Sequence, residues 1–143
     1  MTRLEVILEA RSWLGTPFSH QGRVKGEKVD CIGIVVEVGR AMDIVDLTGV
    51  EKYNGYSRLP YLHTLRHACD EYFIKIRRSE VEPGDILMMG YGRDLEGHLA
   101  IMSIDDKFIH ASCLRAVNKV CEQTIDQKWE QRVMGCYRYP GIE

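Results

Sequence analysis

The fold of this chain is decided by residues 30–42, which read DCIGIVVEVGRAM. The β-branched residues of this segment favour a strand by propensity. Asp30 is a good helix N-cap, however, and Val35, Val38 and Met42 recur on one face of a helix. The segment by itself allows both interpretations. We predict a helix because of the motif comparison given below.

Further helices are predicted on both sides of this segment. The first begins at a Thr2-x-x-Glu5 capping box and ends before Gly15. Its expected buried face consists of four aliphatic side chains with Trp13 beside them, namely Leu4, Ile7, Leu8 and Leu14. Residues 15–30 are predicted to form a loop, and apolar residues at helical spacing predict a third helix over residues 62–72.

After the third helix, the apolar residues follow a period of two, which is typical of strands. The predicted strands cover residues 74–76, 86–89, 98–104, 108–112, 116–121 and 133–139. Helices that precede antiparallel strands indicate an α+β fold and not alternating βαβ units. We therefore predict one α+β domain over residues 1–143, with N-terminal helices packed on a C-terminal antiparallel sheet.

The composition limits the classes of function. A net charge of −2 gives no indication of a nucleic-acid or membrane-surface partner. The five cysteines include no C-x-x-C pair, which argues against a disulfide framework or a zinc site. His63 and His67 lie one turn apart on the third predicted helix, but without a third ligand an exposed helix face is favoured. We expect neither a metal nor a cofactor.

The first residues enter an amphipathic pattern at once, so we expect no signal peptide. We therefore expect synthesis in a reducing cytoplasm with free thiols. If the target is cell wall, the protein would leave by lysis or inside a particle.

Three residues form the candidate catalytic group. Cys31 follows a helix N-cap, where backbone amides and the helix dipole favour a thiolate. His98, in Gly-His-Leu-Ala-Ile, could take the thiol proton, and His110, in Phe-Ile-His-Ala, could orient the imidazole of His98. Taken singly, the cysteine is typical of a core residue and the histidines of surface or packed positions.

The order and spacing of these motifs resemble the NlpC-type cysteine peptidases, papain-like enzymes that act on bacterial wall peptides. The resemblance covers residues 4–112 and implies that Cys31 is the nucleophile at a helix start, His98 the base and His110 the orienting residue. Residues 10–18 and 20–22 also resemble small peptidases of phage tails and gene-transfer particles. That branch implies delivery to the wall in a phage-like particle, with peptidoglycan stem peptides as substrate and phage tail proteins as partners.

The chain departs from this family at one position. Many relatives have a tyrosine in the stretch before the cysteine, whereas Phe18 stands here and has no hydroxyl. His20 or Gln21 could supply a donor instead. Phe18, His20, Gln21 and Asp30 are therefore the candidates for contact with substrate or with the oxyanion, together with the amide of Cys31.

The triad hypothesis requires that the hairpin at residues 98–112 places the side chains of His98 and His110 on the same face of the sheet. A two-residue turn at Asp105 and Asp106 would place the two histidines on opposite faces of the sheet. An odd turn centred on Asp105 pairs Ser103 with Lys107 and makes His110 a diagonal neighbour of His98. We therefore predict an odd-length turn or a bulge.

Three functions follow from these observations. The first is an endopeptidase that cleaves wall peptides, and the family resemblance points to bonds of the D-glutamyl-diaminopimelate type. The second is a related amidase or transacylase that uses the same cysteine and histidine. The third is a non-catalytic structural module of a tail tip, to which Phe18 gives some weight.

Overall fold

The computed structural model describes residues 1–44, 64–90 and 96–143. Its helices are α1 (Arg3–Arg11), α2 (Cys31–Ala41), α3 (Thr64–Tyr72) and α4 (Gln127–Glu130). Its strands are β1 (Arg23–Val24), β2 (Lys28–Val29), β3 (Ile74–Ile76), β4 (Ile86–Gly90), β5 (Glu96–Met102), β6 (Lys107–Ala111), β7 (Val120–Thr124) and β8 (Val133–Arg138). Among the described residues, no helix is long and apolar enough to cross a bilayer.

Six of these strands form an antiparallel sheet with the order β3-β8-β4-β5-β6-β7. One face of the sheet carries the larger core, which contains the buried side chains of α1, α2 and α3. The opposite face carries a smaller apolar cluster that includes Leu87 and Phe108, with Trp129 of α4 packed against it. The predicted α+β fold, with helices packed on a C-terminal antiparallel sheet, is confirmed.

The ambiguous segment at residues 30–42 is a helix, as predicted. The Asp30 side chain accepts a hydrogen bond from the Gly33 amide and thereby caps α2. Val35, Val36 and Val38 are all fully buried. Burial of these β-branched side chains against the sheet and α1 stabilises the helix by more than their low helix propensity destabilises it.

The face of α1 differs from the prediction. Ile7 and Trp13 are buried as predicted, and Val6 and Ala10 are buried with them. The three leucines of the predicted face are exposed instead, namely Leu4, Leu8 and Leu14. The rotation of the helix is fixed by buried or half-buried ion pairs at its two ends. Those pairs join Arg3 to Asp85 and Arg11 to Glu122. The helical period alone allows either aliphatic face to point inward, and these long-range pairs select one.

The start of β7 also differs from the prediction. Strand β7 begins at Val120 and not at residue 116, because residues 114–118 form a turn in which the Val117 and Asn118 amides donate to the Leu114 carbonyl. The described part of the third helix begins at Thr64. Leu62, which belonged to the predicted face of that helix, lies outside the described residues.

Candidate active site

Cys31 is the first residue of α2, and the residue before it ties the preceding loop to the helix. The buried carboxylate of Asp30 accepts hydrogen bonds from the Gly33 amide at 2.8 Å and the Gln21 amide at 2.7 Å. It also accepts one from the Arg23 guanidinium at 2.9 Å. These contacts hold the loop against the start of the helix, so Asp30 fixes the position of Cys31 through the backbone.

The glycine of the Asp-Cys-x-Gly motif is required by close packing. A Cβ atom on Gly33 would lie 2.7 Å from the Gly22 carbonyl oxygen and 2.7 Å from Nη1 of Arg23. Only a residue without a side chain lets the loop approach the first turn of α2 this closely. The motif therefore supplies the thiol through Cys31 and allows the loop to pack against the helix through Gly33.

The hairpin between β5 and β6 has the predicted odd turn. Ile101 pairs with Ile109 and Met102 with Phe108, and the Ser103 amide donates to the Lys107 carbonyl at 2.8 Å. This register is centred on Asp105, which has a left-handed φ of 56°. The prediction of an odd-length turn is confirmed.

The register brings the two histidines together on one face of the sheet. Nε2 of His98 lies 2.7 Å from Nδ1 of His110, and the two rings meet edge to face with centroids 4.9 Å apart. Nε2 of His110 lies 2.8 Å from Oε1 of Gln123 on β7. A hydrogen-bonded row therefore crosses three neighbouring strands, β5, β6 and β7.

Cys31 reaches strand β5 from the other face of the sheet. It belongs to the core that contains α2, whereas both imidazoles lie on the face that carries Phe108 and Trp129. The β5–β6 ladder pairs residues 101 with 109 and 102 with 108, and it does not extend to His98. The Cys31 thiol donates to the Gly97 carbonyl with an Sγ–O distance of 3.5 Å, and the Leu99 amide donates to the sulfur. The sulfur therefore lies against the backbone on both sides of His98.

The electrostatics of the resting site favour neutral groups. Burial raises the pKa of the Cys31 thiol to about 12, and the charge of Asp30 adds to that effect. The backbone amides of Leu99 on β5 and of Ile32 in the first turn of α2 act in the opposite direction, but burial outweighs them. The expected lowering of the thiol pKa is therefore wrong for this state of the protein.

Both histidines are also held neutral. Burial lowers the pKa of His98 to about 3, and the nearby charge of Arg132, like any charge that His110 would carry, lowers it further. Burial lowers the pKa of His110 as well, although its hydrogen bond with Gln123 raises it. The resting site thus contains a protonated thiol and two neutral imidazoles.

An aromatic side chain covers the histidine pair. The ring centroid of Trp129 lies 5.2 Å from that of His110 and 6.3 Å from that of His98. The ring centroids of Phe108 and His110, which are two residues apart on β6, lie 4.6 Å from each other. Cζ of Arg132 lies 4.7 Å from the ring centroid of Trp129. These contacts exclude water from the bond between the histidines and explain the large desolvation of His98.

The predicted substrate-contact residues lie in the loop that precedes α2. Phe18 is half-buried against the main core and forms a bridge with Val29. Gln21 is exposed with a left-handed φ of 60°, and its amide bonds to Asp30. His20 is half-buried. The contacts of Asp30 and of the Gln21 backbone hold the loop against α2. The predicted roles of all four residues toward substrate or the oxyanion stay predictions.

Two other sequence expectations concern cysteines and metals. Free cysteines are usually buried as small apolar residues, which predicts burial of all four remaining thiols. Cys69 and Cys136 are buried and Cys121 is half-buried, whereas Cys113, two residues beyond the end of β6, is exposed. Within residues 1–44, 64–90 and 96–143, no cluster of three or more His, Cys, Asp or Glu side chains is arranged to bind a metal. His67 is exposed on α3, and His63 lies outside the described residues.

Sequence reasoning missed Gln123, Trp129 and Arg132. Gln123 is two residues beyond Cys121, the partner of His110 in the ladder, so it lies diagonally across from His110 on the same face. A correct start for β7 would have revealed this relationship. Trp129 and Arg132 follow that strand, and their contacts with the histidines depend on how α4 folds back over the sheet.

The geometry and the comparisons with known proteins agree on the fold. The sequence profile of the NlpC/P60 family matches residues 15–138. The NlpC/p60 domain of the peptidoglycan hydrolase SagA is 20% identical with a TM-score of 0.67, over 96% of this chain and 98% of that chain. A search of curated proteins finds no significant match.

Two further solved structures extend this comparison. An NlpC/P60 family protein from Bacillus cereus is 18% identical with a TM-score of 0.66, over 96% of this chain and 40% of that chain. This chain therefore spans less than half of the Bacillus protein. RipD from Mycobacterium tuberculosis, described as a non-catalytic NlpC/p60 domain protein adapted to peptidoglycan binding, is 13% identical with a TM-score of 0.57, over 95% of each chain.

Proposed function

The chain belongs to the NlpC/P60 family of papain-like cell-wall hydrolases, and on this premise we propose that it is a cysteine endopeptidase that hydrolyses peptide bonds in bacterial peptidoglycan. One observation carries the proposal. Cys31, at the start of α2, lies against the backbone that flanks His98, and His98 is hydrogen-bonded to His110. The proposal thus rests on a thiol that contacts the backbone on both sides of His98 and on a buried, hydrogen-bonded histidine pair.

In the proposed reaction, Sγ of Cys31 attacks the carbonyl carbon of the scissile amide while His98 accepts the thiol proton. The developing oxyanion would be stabilised by the backbone amide of Cys31 at the start of α2. His98 then returns the proton to the departing amine, which leaves a thioester on Cys31. Water hydrolyses the thioester with His98 as base, and the thiol is regenerated.

The neutral resting site determines when the proton moves. A thiol with a pKa of about 12 and an imidazole with a pKa of about 3 do not form an ion pair by themselves. Proton transfer would therefore accompany nucleophilic attack, when negative charge passes from sulfur to the oxyanion. Substrate binding would contribute the change in environment that makes this transfer favourable.

The finer assignments rest on the motif resemblance. We infer that the scissile bond is of the D-glutamyl-diaminopimelate type in the stem peptide. We also infer, from residues 10–18 and 20–22, that a phage or phage-like particle delivers the domain to the wall and that tail proteins are its partners.

A second candidate function is peptidoglycan binding without hydrolysis. RipD supports it, since that protein has this fold and is described as non-catalytic and adapted to peptidoglycan binding. The absence of a hydroxyl on Phe18 and the neutral state of Cys31 point in the same direction.

A digest of wall fragments separates these functions. Purified sacculi and a synthetic L-Ala-D-Glu-diaminopimelate peptide would be incubated with wild-type protein, Cys31→Ala and the exposed-cysteine control Cys113→Ser. New peptide termini, identified by mass spectrometry in the wild-type and Cys113→Ser reactions alone, support the endopeptidase. Sedimentation of all three proteins with sacculi, without cleavage, would favour the binding function. Release of a side-chain amide or transfer to an added amine would indicate an amidase or transacylase instead.

A further inference from the structure

We propose that Gln123 is a positioning residue that sets the tautomers of both histidines and so places the lone pair of His98 on Nδ1. This inference rests on the proposed role of His98 as the base. Gln123 lies on β7, does not contact Cys31 in any described bond, and was not among the residues that the sequence motifs singled out. Its Oε1 atom lies 2.8 Å from Nε2 of His110.

The first step concerns the proton on His110. An amide oxygen can only accept a hydrogen bond, so Nε2 of His110 must carry a hydrogen to bond to Oε1 of Gln123. In a neutral imidazole the other ring nitrogen then has no hydrogen and is an acceptor. Burial lowers the pKa of His110 and keeps the ring neutral. Nδ1 of His110 is therefore an acceptor.

The second step passes this constraint to His98. Nδ1 of His110 lies 2.7 Å from Nε2 of His98, and a bond of that length between two neutral rings needs one hydrogen. Since His110 cannot supply it, Nε2 of His98 must. Neutral His98 then has its lone pair on Nδ1, the nitrogen that would accept the thiol proton. With the opposite orientation of the Gln123 amide, every proton in the row would reverse, and Nδ1 of His98 would be a donor.

The third step concerns the orientation of the Gln123 amide. Cys121 lies in the ladder opposite His110, and its thiol donates to Oε1 of Gln123 with an Sγ–O distance of 3.5 Å. Sγ of Cys121 also lies 3.4 Å from Nε2 of His110. Because a thiol is a weak donor, Oε1 is favoured on the side that faces both Cys121 and His110. Cys121 thus supports the acceptor orientation of Gln123.

The same row would also stabilise the charge that develops in the reaction. When His98 takes the thiol proton, its Nε2–H bond to His110 strengthens, and the Nε2–H of His110 donates more strongly to Gln123. A neutral amide supports this charge without adding a fixed negative charge, so His98 can still release the proton to the leaving amine.

The test uses Gln123→Met, which keeps the length of the side chain but loses the acceptor, and Gln123→Glu, which keeps an acceptor that cannot be reversed. Gln127→Met on the exposed surface of α4 is the matched control. Long-range ¹H–¹⁵N spectra at pH 7 report the tautomers without any substrate. In wild type and Gln127→Met we expect both His98 and His110 to carry hydrogen on Nε2. In Gln123→Met we expect mixed tautomers, whereas Gln123→Glu should keep the wild-type pattern.

Kinetics on the wall peptide provide the second measurement. Gln123→Met should lower kcat by about 10-fold with KM unchanged, and Gln123→Glu should recover most of that loss while its pH profile shifts to higher pH. Hydrogen on Nδ1 of His98 in wild type, or identical tautomers in wild type and Gln123→Met, would overturn the inference. The spectra give this answer even if no wall peptide is cleaved, so failure of the proposed function remains distinguishable. Circular dichroism and thermal unfolding of each variant identify any loss of fold.

Discussion

Nε2 of His98 and Nδ1 of His110 lie 2.7 Å apart, although the two residues are twelve positions apart on neighbouring strands. The three-residue turn of the hairpin produces this contact, because it places both side chains on the same face of the sheet. The hairpin ladder does not continue to His98, and Cys31 donates to the carbonyl of Gly97 there. One hairpin therefore both aligns the histidines and receives the thiol.

The first prediction concerns the reactivity of the resting thiol. Burial raises the pKa of Cys31 to about 12 from a value of 9.0, so alkylation at pH 7 should be about 10³-fold slower than for an unperturbed thiol. Exposed Cys113 should react first. Iodoacetamide labelling across pH 6–11, with the modified cysteines mapped by mass spectrometry, measures both. Rapid alkylation of Cys31 below pH 8 would instead require a thiolate that His98 stabilises.

The second prediction concerns Asp30. Asp30→Asn keeps the cap on α2 but removes the ion pair with Arg23, and it should lower the free energy of unfolding by about 1–3 kcal/mol. Loss of the negative charge should also lower the pKa of Cys31, so alkylation should begin at lower pH. Urea unfolding and the same labelling experiment measure the two effects.

The matched control for this substitution is Asp126→Asn at the exposed N-cap of α4. Asn and Asp are nearly equal as N-caps, so stability should change by less than about 0.5 kcal/mol. Equal losses in the two variants would mean that the contact with Arg23 contributes nothing to stability.

The third prediction is acid destabilisation through His98. Its pKa is lowered from 6.5 to about 3, so the unfolded chain binds a proton that the folded protein does not. This contribution to stability is complete above pH 6.5 and is lost as the pH falls toward 3, at about 1.4 kcal/mol per pH unit. Urea unfolding at several pH values should give a flatter dependence for His98→Gln than for wild type. Parallel curves would show that His98 is not buried in the neutral form.

The fourth prediction concerns Gly33. Alanine normally stabilises a helix by about 1 kcal/mol relative to glycine. Here the added Cβ would lie 2.7 Å from the Gly22 carbonyl oxygen, so Gly33→Ala should lower stability by about 1–3 kcal/mol. Thermal unfolding provides the measurement. If Gly33→Ala is more stable than wild type, the loop does not pack against α2 as described.

The fifth prediction concerns catalysis by His98. Loss of a general base typically costs 10²–10⁴-fold, so His98→Gln should lower kcat on the wall peptide by about that factor. Binding to sacculi should remain, because the substitution leaves the surface of the protein unchanged. Peptide release measured by mass spectrometry gives the rate, and sedimentation gives the binding. Undiminished cleavage by His98→Gln would remove this residue from the mechanism.

The sequence by itself determined the fold class, the start of α2 and the hairpin register. The fold class depends on local apolar periodicity, whereas the helix at α2 and the odd turn were predicted with the additional help of the motif resemblance. The N-cap at Asp30 precedes a helix, apolar periodicity separates helices from strands, and the alternation of strand side chains allows only an odd turn if His98 and His110 are to meet. Motif order then identified the family that the profile match shows.

Only the tertiary structure decided the rotation of α1, the charge state of the thiol and the partners of the histidines. Ion pairs with residues about 80 to 110 positions away in the chain select which face of α1 is buried. The pKa of Cys31 depends on how completely the folded chain excludes water, and this burial outweighs the local effect of the helix start. Gln123 and Trp129 reach His110 through strand pairing and helix packing. Such non-local contacts and desolvation have no signature in local sequence pattern, because they arise only when distant segments pack together.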